Sequence, residues 1–358
     1  MRPVNKGTAG TNGYTYNINS PIIFGKAPYS KLARELLGND DTDVNECTVF
    51  LLDLVKSPNQ PTAKEAKLKV GIEGRLETMY KTAALLLLNR LGSCCSYCEN
   101  IITTYLEVEH TVPKAIYPTF TVIWNNFLVG CGPCNQYKGD DPDRATVRGW
   151  LGNNNPTEQE YYNEIRTSSY VWPDLDASSY NDLPAELWYF SNSSNAWQQV
   201  PAPGNTNLNN AIVSTDLGNR VINASINLPV GMRTRSVQVR IGDNTAHHNG
   251  NDMIGLCRLN DLGNLNNTND RRLFARTEAY FNALLMLNTI LNGQVNQQVF
   301  DLLWPNYLML AKTKGFYSVF LRLLTGRTDP SNTALPHKFV TDTNTAMYFP
   351  NTNTAQLP

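Results

Sequence analysis

The chain has 358 residues, of which 41% are hydrophobic and 17% are charged, a composition that excludes a protein disordered throughout. Its formal net charge at pH 7 is -1. Because phosphate contacts dominate the affinity of nucleic-acid binders, this balance excludes a protein that holds a polyanion by its overall charge. Any such binding must depend on local basic patches or on a partner.

The N-terminus contains no apolar run that could act as a signal peptide. The longest apolar stretch, residues 83–88, is far too short to cross a bilayer. We therefore expect a soluble, cytoplasmic protein with no membrane partner. Residues 1–28 are rich in Gly, Asn, Thr and Pro, which predicts an extended leader rather than a packed element.

Helical patterns begin near Tyr29 and return from about Val44 to Val55. The strongest helix prediction covers residues 61–91, where Thr62 and Glu65 form a capping-box pattern and Gly92 is a natural stop. Six basic residues along this helix could face DNA. We favour the alternative, an ordinary solvated helix surface.

The middle of the chain predicts strands at residues 101–108 and 120–129, followed by a short helix that starts at the Cys131-Gly132-Pro133-Cys134 run. Polar loops follow Gly152, with a strand-like piece around residues 237–241. The last third predicts helices at Arg271–Leu291, Val295–Leu310 and Tyr317–Leu324, and irregular coil from Thr328 onward.

Five of the seven cysteines lie in two tight clusters, and an odd total fits poorly with a disulfide framework. Two Cys-x-x-Cys pairs stand out, Cys95 with Cys98 and Cys131 with Cys134. This spacing places both thiolates on one side of a tight turn, so the two pairs predict a closed, structural Zn²⁺ site with four sulfur ligands. Cys94 could replace Cys95 with a three-residue gap, and we favour Cys95. Cys47 and Cys257 are expected to be small buried apolar residues.

The segment between the two pairs carries the residues that suggest chemistry. Glu109-His110 comes first, Asn126 stands five residues before Cys131, and Asn135 follows Cys134 directly. In this order, residues 95–139 resemble the HNH endonuclease superfamily, the ββα-metal nucleases. Asn125 is an alternative for the central asparagine of the motif. Asn126 is favoured because its spacing of five residues before Cys131 agrees with the family pattern.

The resemblance implies a metal-dependent endonuclease that hydrolyses phosphodiester bonds. A histidine with a pKa near neutrality can take the proton of the attacking water, and His110 is the candidate. The resemblance implies that Glu109 and Asn135 hold a catalytic Mg²⁺ or Mn²⁺ ion and that Asn126 fixes the loop that carries His110. We expect the imidazole, the carboxylate and the amide to converge on one point.

Two lysines are candidates for substrate binding. Lys138 lies one helical turn after Asn135, and Lys114 belongs to the motif that follows His110. Asn135 occupies the position of the last histidine in the HNH motif. An amide oxygen at that position favours a hard metal ion.

A closer resemblance is to the HNH proteins of bacterial anti-phage systems of the Septu and retron type. It depends on Val108-Glu109-His110 with Pro113-Lys114, on residues 124–128 and 134–140, and on shorter pieces at residues 171–174, 254–256 and 270–276. It implies a nuclease effector that works with an ATPase partner of the SMC or ABC type and cuts nucleic acid, with DNA favoured. A near-zero net charge suits a nuclease that another subunit delivers.

We therefore predict an α+β fold, mostly helical, in three parts: an N-terminal helical region (1–90), an HNH core with structural zinc (91–150) and a mostly helical C-terminal domain (151–358). The helical surface of residues 260–326, with Arg271 and Arg272, is a possible docking site for the ATPase, although an ordinary charged face is the simpler interpretation. The competing hypothesis is a non-catalytic zinc-knuckle module that binds nucleic acid or a partner.

Overall fold

The structure is a computed structural model, and it describes residues 2, 4–8, 14, 44–57, 59–170, 172–175, 185–191, 196–199, 235–239, 252–259, 270–291 and 295–352. The helix predicted near Tyr29 lies outside these residues. The described chain is mostly helical, with a small two-stranded sheet and a separate three-stranded sheet. This confirms the predicted mostly helical α+β composition.

The helices are α1 (Val44–Lys56), α2 (Ala63–Lys81), α3 (Ala83–Leu91), α4 (Gly132–Lys138), α5 (Arg144–Leu151), α6 (Glu158–Asn163), α7 (Asp252–Leu256), α8 (Arg272–Ile290), α9 (Gln297–Lys314), α10 (Tyr317–Leu324), α11 (Leu335–Thr341) and α12 (Thr343–Tyr348). The strands are β1 (Glu107–His110), β2 (Phe127–Gly130), β3 (Ala185–Ser191), β4 (Ala196–Gln199) and β5 (Arg235–Val239). Among the described helices, none combines the length and the apolar character needed to cross a membrane.

The chain divides into two compact units. One comprises Lys6–Arg90 and Leu106–Tyr170 and contains the β1–β2 sheet and α4. The other comprises Met1–Asn5, Leu91–Tyr105 and Val171–Pro358, with α8, α9 and α10 around a core that includes Leu284 and Phe320. The three-part division at residues 90 and 150 stays a prediction.

Helix α2 begins with the predicted capping box. The Thr62 hydroxyl accepts a hydrogen bond from the Glu65 backbone N–H at 3.3 Å, and the Glu65 carboxylate accepts one from the Thr62 N–H at 2.7 Å. The single helix predicted up to Leu91 is wrong, because Thr82 separates α2 from α3 and its hydroxyl donates back to the Met79 carbonyl at 2.7 Å. The predicted stop is confirmed by Gly92, which has φ 73° directly after α3.

Two exposed glycines in α2 give a prediction for stability. A Cβ atom at Gly71 or Gly74 would meet nothing within 4 Å. Because glycine in a helix interior is less favourable than alanine, we expect Gly71→Ala and Gly74→Ala each to raise the free energy of unfolding by roughly 0.5–1 kcal/mol in urea titrations. Gly315→Ala is the opposite control, since Gly315 has φ 73° and its Cβ would lie 2.5 Å from the Glu99 carbonyl oxygen. Destabilisation by the α2 variants would mean that this face of the helix is covered.

The strands predicted at residues 101–108 and 120–129 are wrong in length, because β1 and β2 have four residues each. Much of the second stretch forms two 3₁₀ turns, Pro118–Phe120 and Trp124–Asn126. The reason is the Asn126 side chain, which forms hydrogen bonds with backbone groups of the loop. These bonds replace the interstrand hydrogen bonds that a longer strand would make.

The predicted C-terminal helices agree with α8, α9 and α10. The coil predicted from Thr328 onward is wrong, since α11 and α12 form there. Leu335 and Phe339 are four residues apart on α11, and both are fully buried in the same core as α10. Burial of this apolar pair stabilises a helix that its proline-containing sequence did not indicate.

Arg272 and Arg276 do not form an exposed charged face. Arg272 donates to the Cys257 carbonyl at 2.7 Å and pairs with Asp270 at 2.8 Å, and Arg276 donates to the Leu259 carbonyl at 3.1 Å. Both arginines are buried. A docking role for Arg272 is therefore wrong, because its guanidinium is already bound inside the fold. Cys47 and Cys257 are buried, as predicted.

The described part of the N-terminal leader is packed, contrary to the sequence prediction. The Lys6 ammonium donates to the backbone carbonyls of Asn125 and Phe127 at 3.1 and 2.7 Å. The Tyr14 hydroxyl donates to the Val122 carbonyl at 3.1 Å. Both side chains are buried, so this segment forms part of the unit that contains β1 and β2.

Candidate functional site

The predicted segment folds as a strand, a strand and a helix. β1 and β2 are antiparallel, with His110 opposite Phe127 and Glu109 opposite Leu128. α4 begins directly after β2, with Cys131 as its N-cap residue and Pro133 in the first turn, where a proline is well tolerated.

The four cysteines of the predicted zinc site lie together. The sulfur atoms of Cys95, Cys98, Cys131 and Cys134 are all within 4.8 Å of one another. A tetrahedral zinc ion with bonds of about 2.3 Å separates its sulfur ligands by about 3.8 Å, so this group could hold a metal ion and is consistent with structural zinc. Cys94 lies outside the group. It is buried in an apolar core, and this burial raises the pKa of its thiol to about 12, which disfavours the thiolate that a metal needs.

His110 is the last residue of β1 and is only 5% exposed. Its ring lies nearly perpendicular to the rings of Tyr80 and Phe127, with centroids 4.7 and 5.1 Å away. Its Nε2 is 2.8 Å from the Thr121 carbonyl oxygen, which can only accept, so Nε2 carries the proton and Nδ1 is left as the acceptor. Burial lowers the pKa of His110 to about 3. The imidazole is therefore neutral at physiological pH. The pKa near neutrality expected for His110 is wrong, because the ring is buried.

Asn126 fixes the loop that follows β1. Its side-chain oxygen accepts from the Thr111 hydroxyl and the Val112 N–H, both at 2.7 Å. Its amide nitrogen donates to the carbonyls of Val112 and Phe120, both at 3.0 Å. Asn126 is completely buried, whereas Asn125 is exposed, so it is Asn126 that makes these contacts.

Glu109 and Lys138 form a buried ion pair. The Lys138 ammonium is 3.1 Å from a carboxylate oxygen of Glu109, and the two side chains are 1% and 3% exposed. Burial raises the pKa of Glu109, and the positive charge of Lys138 opposes that effect. The predicted contact between Lys138 and a substrate phosphate has no support from this placement, because its ammonium is already occupied and lies away from solvent.

Asn135 contacts a carboxylate that the sequence analysis did not name. Its amide donates a hydrogen bond to the half-buried Glu107. Glu107 lies two residues before Glu109, and because strand side chains alternate, both carboxylates leave β1 on the side of α4. The period-two spacing of the two glutamates was the available signal.

The expected convergence of His110, Glu109 and Asn135 is wrong for this structure. Among the described residues, these three side chains form no hydrogen bond or ion pair with one another. Glu109 and His110 are consecutive strand residues and point to opposite faces of β1. The carboxylates and Asn135 therefore lie on one side of the strand, and the imidazole lies on the other.

Lys114 is exposed near the imidazole. Its ammonium lies 4.5 Å from the centre of the Tyr80 ring and donates to the Tyr80 hydroxyl. Of the two lysines predicted to bind substrate, Lys114 is the accessible one. Tyr80 comes from α2, and no motif in the sequence connects it to His110.

Arg144 anchors the first half of the loop that follows β1. Its guanidinium forms a bidentate pair with Glu158 at 2.9 and 2.6 Å and donates to the Ile116 carbonyl at 3.0 Å. The rings of Tyr117 and Tyr161 lie 4.7 and 4.9 Å from its Cζ atom. Because its guanidinium is already bound by Glu158 and the Ile116 carbonyl, Arg144 has a structural role and is not a candidate phosphate ligand.

Comparison with curated proteins finds a similarity to the Septu protein PtuB of Bacillus thuringiensis. The two are 32% identical over 125 residues, which covers 32% of this chain and 46% of PtuB. The chain thus matches less than half of that protein's length. No family model matches the chain, and no solved structure matches it.

Proposed function

We propose that this chain is an HNH endonuclease that hydrolyses phosphodiester bonds in nucleic acid, with DNA as the favoured substrate, and that it acts in anti-phage defence. The observation that carries the proposal is the state of His110. A neutral imidazole whose Nε2 is bound by a backbone carbonyl offers Nδ1 as a base, at the end of β1 in a strand–strand–helix unit.

In this proposal, His110 takes the proton of the attacking water at Nδ1. In-line attack at phosphorus places the water and the leaving oxygen on opposite sides of the phosphate. A base on one face of β1 and acidic ligands on the other face suit that arrangement, with the scissile phosphate at the end of the strand. Lys114 binds a phosphate of the backbone as an exposed cation.

Glu109 and Asn135 would hold the divalent ion, and Glu107 lies beside Asn135 on the same side of β1. Carboxylate and amide oxygens are the ligands that Mg²⁺ and Mn²⁺ prefer. A bound ion supplies positive charge for the leaving oxygen. The donor set therefore fits a hard cation, provided that Glu109 exchanges its contact with Lys138 for the metal.

The role in defence is supported by the similarity to a Septu protein, together with the sequence resemblance to anti-phage HNH proteins. In such a system the nuclease works with an ATPase partner of the SMC or ABC type. The net charge of -1 agrees with this, because a nuclease with little electrostatic attraction for DNA depends on another subunit for delivery.

The test is cleavage of supercoiled plasmid by the purified chain, alone and with an ATPase partner of the SMC or ABC type, in Mg²⁺ or Mn²⁺. We expect His110→Ala to reduce the rate at least about 100-fold, the loss typical of a missing general base. His337→Ala is the matched control, because His337 is exposed on α11 and should cut like the wild type. Equal cleavage by wild type and His110→Ala would assign the activity to a contaminant.

One observation favours the alternative, a non-catalytic zinc-knuckle module. Glu109 and Lys138 satisfy each other inside the unit, as residues with a purely structural role do. This alternative predicts that no divalent ion binds beyond the four-cysteine group and that no combination of substrate and partner gives cleavage. Calorimetric titration of the zinc-loaded protein with Mn²⁺ separates the two functions.

A further inference from the structure

We infer that Tyr80 of α2 is a positioning residue for the nuclease site: its ring fixes the His110 imidazole and its hydroxyl fixes the Lys114 ammonium. The inference rests on the proposed function, because it assigns roles to the base and to the phosphate-binding cation of that site. Tyr80 lies outside the segment that resembles HNH nucleases.

Three contacts fix the imidazole. The Thr121 carbonyl binds Nε2, the Phe127 ring packs on one side, and the Tyr80 ring packs at 90° with its centroid 4.7 Å away. Thr121 and Phe127 belong to the HNH segment itself. Tyr80 is the contact that a different element supplies, and perpendicular aromatic pairs of this kind are favourable beyond their buried area.

The same tyrosine fixes Lys114. A lysine side chain has four rotatable bonds and loses considerable entropy when it is held in place. The Tyr80 hydroxyl accepts from the Lys114 ammonium, which also lies 4.5 Å from the ring centre. Since Tyr80 is only 6% exposed while Lys114 is exposed, the tyrosine is the fixed partner and the lysine is the accessible one.

Tyr80 is itself rigidly placed by its helix. It continues the buried stripe of α2, which is formed by Leu68, Ile72 and Leu76. The base and the cation thus contact one buried ring, whose position α2 determines. A displacement of about 1 Å at a reacting group costs about 100-fold in rate, so this placement has a large kinetic consequence.

The experiment compares Tyr80→Leu, Tyr80→Phe and Ile72→Ala in the full-length protein, all well below their melting temperatures. Ile72 is completely buried two turns earlier on α2 and packs in a separate cluster, so Ile72→Ala matches the loss of core packing without touching His110. The first readout is the ¹⁵N NMR spectrum of the histidines at neutral pH, assigned with His110→Ala. We expect His110 to have a single Nε2–H tautomer in wild type, Tyr80→Phe and Ile72→Ala, because the ring is held against the Thr121 carbonyl. In Tyr80→Leu we expect the Nδ1–H and Nε2–H tautomers to interconvert and give averaged signals.

The second readout is plasmid cleavage. We expect Tyr80→Leu to lower kcat about 100-fold, as for a misplaced reacting group, and Ile72→Ala to retain it. Tyr80→Phe should keep kcat and raise KM about three- to fivefold, the fold-change of a weak exposed polar contact. Lys114→Met should raise KM at least as much, because it removes the phosphate contact itself. The double variant Tyr80→Phe/Lys114→Met should match Lys114→Met, because the Tyr80 hydroxyl acts on the substrate only through the Lys114 ammonium.

A single His110 tautomer in Tyr80→Leu, equal kcat losses in Tyr80→Leu and Ile72→Ala, or additive KM effects in the double variant would each overturn the inference. If the wild type cuts no nucleic acid, the proposed function fails, and the NMR readout still decides whether Tyr80 fixes His110. If the wild type cuts and the Tyr80 variants match it, the inference fails and the proposed function stands.

Discussion

Replacing Cys95 with alanine is expected to remove the bound metal ion, whereas the same substitution at the neighbouring Cys94 is expected to leave it in place. The Cys95 sulfur lies within 4.8 Å of the other three sulfurs of the group, and Cys94 packs in an apolar core. Structural zinc in small peptides binds with about 10–16 kcal/mol, and that energy is folding energy. Loss of one thiolate should therefore also lower the melting temperature sharply. Elemental analysis of zinc per chain and thermal unfolding measure both effects.

Cys94→Ala controls for the removal of one buried thiol in the same turn of the chain. A strong chelator provides a second control, since it should bring wild type and Cys94→Ala to the stability of Cys95→Ala and leave Cys95→Ala unchanged. Zinc loss from Cys94→Ala, with retention in Cys95→Ala, would show that the four-sulfur group is assigned to the wrong cysteine.

Lys138→Met should lower the free energy of unfolding by about 3–5 kcal/mol, because it leaves the carboxylate of Glu109 buried and unpaired. The two charges are 3.1 Å apart and almost completely buried. Burial already raises the pKa of Glu109, so removal of the ammonium should favour its protonated form still further. The double variant Glu109→Gln/Lys138→Met should recover most of the loss. Urea titrations followed by circular dichroism measure the three variants.

Lys114→Met is the matched control, since it removes the same charge from an exposed lysine of the same unit. An equal cost for Lys138→Met and Lys114→Met would contradict the buried pair. The proposed metal site adds one expectation. Mg²⁺ should stabilise Lys138→Met more than it stabilises the double variant, because Glu109 is then free to bind the ion.

Local signals in the sequence predicted local structure well. The capping box at Thr62 and Glu65 depends on residues three apart, and the Cys-x-x-Cys pairs define their own turns, so both could be predicted without the fold. The sequence does not predict the helix at residues 335–341, although Leu335 and Phe339 have helical spacing, because so short a helix depends on the core against which it packs.

The sequence suggests candidate site residues, but it does not predict the contacts that they make. Because side chains alternate along a strand, those of Glu109 and His110 point to opposite faces of β1. The order of residues in the motif does not show this. Helical spacing places Asn135 and Lys138 on one face of α4, yet only the register between α4 and β1 decides which carboxylate each one meets. Tyr80 could not be predicted at all, because its contact with His110 depends on how α2 packs against the sheet.

The attachment of Lys6 to the carbonyls of Asn125 and Phe127 has a practical consequence for protein production. A shortened version that starts after Tyr14 would leave those two carbonyls, and the apolar rings beneath Tyr14, open to water. Such a version should expose an apolar surface and purify as aggregates even with its four-cysteine group intact. Recombinant work should therefore retain the whole amino-terminal segment, and aggregation of a trimmed protein should not be interpreted as a defect of the β1–β2–α4 segment itself.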